Sequence, residues 1–139
     1  MNGRRSLGET HDTIAAIITP PGEGGVAAIR VAGPRAQEIL LQFFRPRNSS
    51  QKTATPFVMR LGVFQSPSNE MIDEVLAVYM PAGHSYTGLE QIEIFCHGGR
   101  AVTQNILALI LSAHVRSAEP GEFTRLAFEN GRIDLAKAE

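Results

Sequence analysis

Two charged residues interrupt otherwise apolar stretches of this sequence. Arg30 lies in the run VAAIRV, and Glu93 lies in the run QIEIF. A carboxylate can accept hydrogen bonds from two adjacent N–H groups of a flat heterocycle, and a guanidinium can bind a carboxylate or a ring carbonyl. Each charged hydrogen bond of this kind contributes about 1.5–3 kcal/mol. The two residues are therefore candidates for a ligand site on one face of a sheet.

Two structural interpretations compete with a ligand site for Arg30 and Glu93. Both side chains could lie on a solvated sheet face. They could also pair with each other, and such a pair is weak evidence for added stability. In each case the alternation of a strand separates the charged side chain from its apolar neighbours. The sequence alone leaves these alternatives open.

The glycine-rich segment TPPGEGG, residues 19–25, superficially resembles a phosphate-binding loop. Gly22, Gly24 and Ala27 fit the pattern G-x-G-x-x-A, but that pattern requires a helix after the glycines. The residues that follow predict a strand instead. Glu23 also places a negative charge where a phosphate would be repelled. We therefore interpret the segment as a turn between two strands.

The cysteine, histidine and serine residues give weaker signals. Cys96 and His97 are adjacent, so in a strand they point to opposite faces and do not form a metal pair. No spacing typical of a zinc site occurs elsewhere. Asp73, His84 and Ser85 do not form a recognisable triad, because the G-x-S-x-G motif is absent. We expect Cys96 to be a small buried residue and expect no metal site.

The hydrophobic pattern predicts a sheet accompanied by helices. Strands are predicted at 13–19, 26–31, 57–64, 73–80 and 91–97, and polar loops at 45–56 and 81–90. Helices are predicted from Pro34, at about 100–114 with Ile106 facing the core, and from Pro120 to a C-cap at Asn130. The order β, β, α, β, β, β, α predicts an α+β domain, a mixed sheet with helices on one face.

Composition narrows the classes of function. The chain has 139 residues, of which 43% are hydrophobic and 19% charged, as in an ordinary soluble domain. Its formal net charge of -1 gives no overall attraction to nucleic acid. The single cysteine excludes an internal disulfide and indicates a reducing compartment. The longest apolar run, at 106–111, is too short to cross a bilayer. We expect a cytoplasmic protein without membrane contact.

Three blocks of the sequence together resemble a known family. DTIAAIITPPGEGGVAAIRVAG, SYTGLEQIEIFCHGG and AEPGEFTRLAFENGRIDLAKAE occur in this order. They resemble the N-terminal domain of the MnmE (TrmE) family of tRNA-modifying GTPases, and the resemblance covers residues 12–139. It implies a fold similar to the tetrahydrofolate-binding domain of aminomethyltransferases. It also implies a homodimer and binding of 5-formyl-tetrahydrofolate or another one-carbon tetrahydrofolate.

The resemblance implies further functions for the longer family proteins. They carry a central helical domain with an inserted GTPase domain that uses GTP, potassium and magnesium. With the flavin-dependent partner MnmG (GidA), they install an aminomethyl-type group on C5 of the wobble uridine of tRNA, and folate supplies the one-carbon unit. The family's P-loop does not occur in these 139 residues. We therefore expect the chain itself to be a binding module.

The family's folate contacts, carried over by position, fall on Arg30, Glu93 and Arg132. Glu93 is expected to bind the pterin edge. The two arginines are expected to bind the pterin carbonyl or the glutamate tail, and the resemblance does not decide which does which. Arg132 itself departs from the family, in which lysine is more frequent, and an arginine fork is not equivalent to an ammonium group.

Two further departures leave alternative functions open. Glu23 stands where the family usually has a basic residue, and Leu89-Glu90 follows SYTG in place of Glu-Asp. One alternative is a purely structural dimerisation scaffold with a vestigial pocket. Another is a freestanding one-carbon transferase, which would need a general base that the sequence offers only in Glu93.

We expect three segments along the chain. Residues 1–11 form a loose N-terminal tail, and residues 12–120 form the folate-binding and dimerisation domain. Residues 121–139 begin a central helical domain. Asp134 is expected to cap a helix that continues beyond residue 139, because so short a helix is unstable by itself.

Overall fold

A computed structural model describes residues 12–20, 25–48 and 55–133 of the chain. The predicted tail at 1–11, the glycine turn with Glu23, and the helix expected from Asp134 therefore lie outside the described residues. Within the described ranges the chain forms β1 (Ile14–Ile17), β2 (Val26–Ala32), α1 (Ala36–Phe43), β3 (Phe44–Pro46), β4 (Arg60–Gln65), β5 (Met71–Met80), β6 (Gln91–His97), α2 (Arg100–Leu111), β7 (Arg116–Ser117) and α3 (Glu122–Glu129).

The strands form one mixed sheet. Their order across it is β3-β4-β5-β6-β2-β1-β7. Neighbouring strands run antiparallel, except that β7 runs parallel to β1. The predicted α+β fold with a mixed sheet is confirmed.

One face of the sheet packs against α1 and α2. Ile29 of β2 and Ile94 of β6 are register partners and are almost fully buried. Ile39 of α1 and Ile106 of α2 join the same buried cluster. Because a slip of one residue would turn every one of these apolar side chains away from the core, this layer fixes the strand register. It thereby determines which side chains meet on the opposite face.

The third helix lies at that opposite face, so the predicted placement of the helices on one face is correct for α1 and α2 and wrong for α3, whose Phe123 packs on Arg30. Phe123 of α3 has its ring 5.2 Å from the guanidinium carbon of Arg30. Leu126 and Ala127 are buried, as predicted, whereas Phe123 is half-buried because it covers a charged side chain rather than the core. The helix ends at the predicted C-cap, Asn130, whose backbone N–H donates to the carbonyl of Leu126. α3 therefore brings its residues to the candidate ligand site.

The region between α1 and β4 differs from the prediction. The predicted strand at 57–64 begins at Arg60, because Phe57 has a φ of 61°, in the left-handed region that a regular strand does not contain. The predicted loop at 45–56 is wrong at its start, where β3 pairs with β4. Three residues give too short a pattern to predict a strand.

Helix boundaries also differ from the prediction. α1 begins two residues after Pro34, because Arg35 is the N-cap and its backbone N–H donates to Thr13 Oγ1 at 3.0 Å. α2 ends at Leu111 rather than at residue 114, since His114 has a φ of 65°. The strand β7, with two residues, was not predicted at all. Of the helices in the described ranges, none is both long and apolar enough to cross a membrane.

Candidate functional site

Arg30 and Glu93 face each other across neighbouring strands. The register pairs Arg30 of β2 directly with Glu93 of β6. Arg30 Nε donates to Glu93 Oε2 at 2.9 Å, and the two side chains are 15% and 16% exposed. A fully solvated sheet face is therefore excluded. The structure has the two residues paired, which was one of the alternatives that the sequence left open.

Two aromatic rings flank the Arg30 guanidinium. Its carbon lies 4.9 Å from the ring centre of Tyr86 and 5.2 Å from that of Phe123. Tyr86 belongs to the loop between β5 and β6, and its hydroxyl lies 3.2 Å from Thr124 Oγ1 of α3. Cation–π attraction to both rings holds the guanidinium between the loop and the helix. The register of β2 and β6 thus positions the charged pair, and the rings of Tyr86 and Phe123 hold the guanidinium of Arg30.

Part of the hydrogen-bonding capacity of the pair is unused. Glu93 Oε2 accepts from Arg30 Nε and from Gln91 Nε2, each at 2.9 Å. Within the described ranges no residue donates to Glu93 Oε1, and none accepts from Nη1 or Nη2 of Arg30. One carboxylate oxygen and two guanidinium nitrogens of the pair therefore have no partner in the part of the chain that the structure describes. This arrangement suits a flat ligand that carries N–H donors beside a carbonyl.

Gln91 belongs to the site although it was not predicted from the sequence. Its side chain is fully buried. Its Oε1 accepts from Thr87 Oγ1 at 2.9 Å and from the Thr87 backbone N–H at 3.3 Å, while its Nε2 donates to Glu93. The available signal was the spacing of two residues, which places Gln91 and Glu93 on one face of a strand.

Arg132 contacts the loop before β6 rather than the charged pair. Its Nε donates to the carbonyl of Ser85 at 2.8 Å, and its Nη1 to the carbonyl of Gly83 at 3.1 Å. Asn130 Nδ2 donates to the carbonyl of Thr87 at 2.8 Å. Among the contacts of the described residues, none joins Arg132 to Arg30 or Glu93 directly. The structure thus brings two of the three predicted residues together and connects the third through the loop.

Close packing explains a glycine in this loop. Gly88 has a φ of 82°, and a Cβ at this position would lie 2.7 Å from Asn130 Cβ. The loop also contacts α1, since Glu90 Oε1 accepts from the backbone N–H of Gln37 at 2.9 Å. Burial and the Glu90 carboxylate together raise the pKa of Tyr79. Glu90, one of the two positions at which the sequence differs from the family pattern after SYTG, therefore contacts the first turn of α1.

Other candidate residues lie apart from this site. Cys96 is buried on the helix side, where burial raises the pKa of its thiol. His97 Nδ1 lies 2.7 Å from Asp73 Oδ1 on exposed surface. In the described part of the chain no group of three or more histidine, cysteine, aspartate and glutamate side chains could hold a metal ion.

Two cavities also lie elsewhere. One of about 460 Å³ is lined by Thr19, Arg100 and Gln104 among others, near the start of α2. The other, of about 220 Å³, is lined by Val26, Leu76 and other residues of the sheet. Neither Arg30 nor Glu93 lines either cavity. The pair is therefore separate from these two cavities and lies beside the rings of Tyr86 and Phe123.

A second ion pair joins β7 to α3. Arg116 donates to both oxygens of Glu122, from Nη1 to Oε1 at 3.1 Å and from Nη2 to Oε2 at 2.6 Å. The Glu119 backbone N–H also donates to Oε1, at 2.9 Å. The Arg116 guanidinium holds the pKa of the Glu122 carboxyl below its usual value although burial opposes this shift. Glu122 in turn raises the pKa of Arg116.

The chain is similar to a defined family along most of its length. Residues 13–132 match the family described as the N-terminus of the GTP-binding protein TrmE. Proteins named tRNA modification GTPase MnmE are 51% identical over 130 residues in Moorella thermoacetica, 50% over 129 residues in Chloroflexus aurantiacus and 42% over 139 residues in Fervidobacterium nodosum. These alignments cover 92%, 93% and 100% of this chain, but only 28%, 28% and 30% of the relatives. The chain belongs to the TrmE N-terminal family.

Proposed function

We propose that this chain is the folate-binding and dimerisation part of a tRNA modification GTPase. The family match and the names of the relatives support the assignment to such a GTPase. The observation that carries the folate assignment is the Arg30–Glu93 pair. It lies at family contact positions and keeps one carboxylate oxygen and two guanidinium nitrogens without partners among the described residues.

In the proposed complex, Glu93 Oε1 accepts from the N–H groups at the pterin edge of 5-formyl-tetrahydrofolate or a related one-carbon tetrahydrofolate. Arg30 donates to the pterin carbonyl or to the glutamate tail. The rings of Tyr86 and Phe123 offer flat apolar surfaces beside the pair. Arg132 is proposed as a third contact, since its Nη2 has no partner among the described residues.

For the whole protein, we propose the reaction expected of the family. Together with the flavoprotein MnmG (GidA), it installs an aminomethyl-type group on C5 of the wobble uridine of tRNA in the cytoplasm. The folate held by this chain supplies the one-carbon unit. GTP, potassium and magnesium act in a separate GTPase domain.

We propose that the homodimer forms through the part of the sheet face that α3 leaves open. Leu61, Leu76 and Phe95 are consecutive register partners on this face. Leu61 is 43% exposed and Leu76 is 38% exposed, and Val26 nearby is 62% exposed. Exposed apolar groups of this kind mark association surfaces, and a two-fold contact would bury the same residues from both copies.

Sedimentation velocity tests the dimer proposal. Leu76→Glu places a charge in the centre of the open face and is expected to yield monomers at concentrations at which the wild type is dimeric. Gln104→Glu, which adds a charge on the exposed side of α2, is the matched control and should remain dimeric. A dimeric Leu76→Glu variant would contradict the proposed surface.

A structural scaffold with a vestigial pocket is the second candidate function. It is favoured by the direct pairing of Arg30 with Glu93, which partly satisfies both charges without a ligand. This alternative predicts that the chain dimerises but binds no folate at the pair. Folate binding and its loss in pocket variants therefore separate the two candidates.

A chimera tests the proposed function in its biological context. The chain replaces the matched segment of the Moorella relative, and the chimera is expressed in cells that lack their own tRNA modification GTPase. Mass spectrometry of tRNA nucleosides should show restored modification of wobble uridine, and the same chimera with Glu93→Ala should not restore it. Restoration by both chimeras would contradict a role for the folate site in modification.

A further inference from the structure

We propose that Gln91 is a positioning residue for the candidate folate site. Its amide holds the Glu93 carboxylate in the orientation that leaves Oε1 free for ligand. It also joins that carboxylate to the loop that Asn130 and Arg132 hold against the domain. The identity of the ligand in this inference rests on the proposed function. The arrangement of the side chains is independent of it.

Both the oxygen and the nitrogen of the Gln91 side-chain amide form hydrogen bonds. Its Oε1 accepts two hydrogen bonds from Thr87, and its Nε2 donates to Glu93 Oε2 at 2.9 Å. The side chain is 0% exposed, so water cannot replace these partners. A buried polar group with partners on opposite sides has a single favourable orientation, because any rotation leaves a donor or acceptor unpaired.

This orientation determines which oxygen of Glu93 is free. Arg30 Nε and Gln91 Nε2 both donate to Oε2, so two donors converge on one oxygen. Without the Gln91 amide, the carboxylate can rotate until both of its oxygens meet the Arg30 guanidinium, the bidentate geometry that arginine and carboxylate favour. The free oxygen and the free guanidinium N–H groups would then satisfy each other. Gln91 thus preserves the ligand-binding capacity of the pair.

The same amide connects the loop between β5 and β6 to the Glu93 carboxylate. Thr87 donates to Gln91 from one side, while its carbonyl accepts from Asn130 Nδ2 at 2.8 Å. Arg132 holds the preceding part of the loop through the carbonyls of Gly83 and Ser85. A continuous set of hydrogen bonds therefore runs from the residues after α3 to the Glu93 carboxylate.

The decisive variant is Gln91→Glu, tested by its pH dependence. While it is protonated, the introduced carboxyl group can donate to Glu93 Oε2 and still accept from Thr87, so it imitates the amide. Once ionised, it repels the adjacent Glu93 carboxylate. We expect the affinity for 5-formyl-tetrahydrofolate, relative to wild type at the same pH, to be within about threefold near pH 5.5 and to fall about tenfold or more near pH 8.

Two further variants separate positioning from packing. Gln91→Met keeps the length of the side chain but lacks both hydrogen-bonding ends, so its affinity should fall about tenfold at every pH. Ile94→Val removes a methylene group from the other face of the same strand, and its relative affinity should not depend on pH. A constant affinity ratio for Gln91→Glu across the pH range would show that Gln91 only packs, and would overturn the inference.

A measurement without ligand keeps this test separate from the proposed function. In NMR spectra of the wild-type chain, the side-chain amide protons of Gln91 should exchange slowly. Their resonances should move in both Glu93→Ala and Thr87→Val, but not in Ile94→Val. Fast exchange of these amide protons would contradict the positioning role. Resonances that move in neither Glu93→Ala nor Thr87→Val would also contradict it. If these spectra agree with the inference and wild type binds no folate, the folate assignment fails and the arrangement of Gln91 stands.

Discussion

The ion pairs Arg30–Glu93 and Arg116–Glu122 differ in how completely their atoms are used. Glu122 accepts from Arg116 at both oxygens and from a backbone N–H as well. Glu93 accepts its two hydrogen bonds at a single oxygen, and its other oxygen has no donor among the described residues. Both carboxylates are largely buried, so burial alone does not separate them.

The comparison separates a structural role from a binding role. A carboxylate whose oxygens are both satisfied joins two elements of the fold, here β7 and α3, and has little capacity left for a ligand. A carboxylate whose second oxygen has no donor among the described residues can still accept hydrogen bonds from a ligand. We therefore expect substitutions at Glu122 to act on stability and substitutions at Glu93 to act on affinity.

The largest expected effect comes from the core on which both pairs depend. Ile106→Ala should lower the free energy of unfolding by about 2–5 kcal/mol, because it leaves a cavity where α2 packs on the sheet. Urea denaturation followed by circular dichroism measures the change. A change near zero would mean that the buried face of α2 is assigned incorrectly.

Glu122→Gln should lower the free energy of unfolding by about 1–3 kcal/mol near pH 7, because hydrogen bonds to a charged, buried carboxylate are lost. Folate affinity should stay within about twofold of wild type, because Glu122 contacts neither member of the Arg30–Glu93 pair. Denaturation and titration on the same preparation check both statements. A loss of affinity as large as that in Glu93→Ala would remove the distinction between the two pairs.

The Glu122 pair should also have a defined pH dependence. The pKa of Glu122 is lowered by folding from an ordinary value of 4.5. Its stabilising contribution is therefore fully present above that value and is lost as the pH falls from there through the lower, folded-state pKa. The difference in unfolding free energy between wild type and Glu122→Gln should shrink over this acidic range. A difference that stays constant down to about pH 3 would contradict the assigned shift.

Arg132→Lys should have the smallest effect. Lysine keeps the charge but cannot donate to the carbonyls of Ser85 and Gly83 in the fork geometry of the guanidinium. We expect folate affinity to fall only about two- to fivefold, with a larger loss for Arg132→Ala. An effect of Arg132→Lys equal to that of Glu93→Ala would contradict this expectation and show that ligand binding depends on the guanidinium fork of Arg132.

The sequence was sufficient for the main architecture and for the two central charges. Arg30 and Glu93 were recognisable because each interrupts an apolar run, and strand alternation placed them away from the core. The sequence offered their direct pairing only as one alternative, because the pairing depends on the register of strands more than 60 positions apart in the chain. That register is fixed by side chains on the opposite face, such as Ile29 and Ile94, and by no local signal.

The supporting residues were harder to predict. Gln91 was missed because an amide in a strand is unremarkable until its partners are known. Arg132 was assigned to the ligand by resemblance, yet the structure shows its contacts with the loop at Gly83 and Ser85. Such roles arise from long-range contacts, and hydrophobic periodicity contains no information about them. The left-handed conformation of Phe57, which delays the start of β4, likewise has no sequence signal of its own.

Calorimetric titration with 5-formyl-tetrahydrofolate tests the central claim most directly, on wild type, Glu93→Ala and Glu122→Gln in parallel. Wild type and Glu122→Gln should bind with similar affinity, and Glu93→Ala should bind about 10- to 100-fold more weakly while remaining folded. Equal binding by wild type and Glu93→Ala would contradict the assignment of the folate site to the Arg30–Glu93 pair.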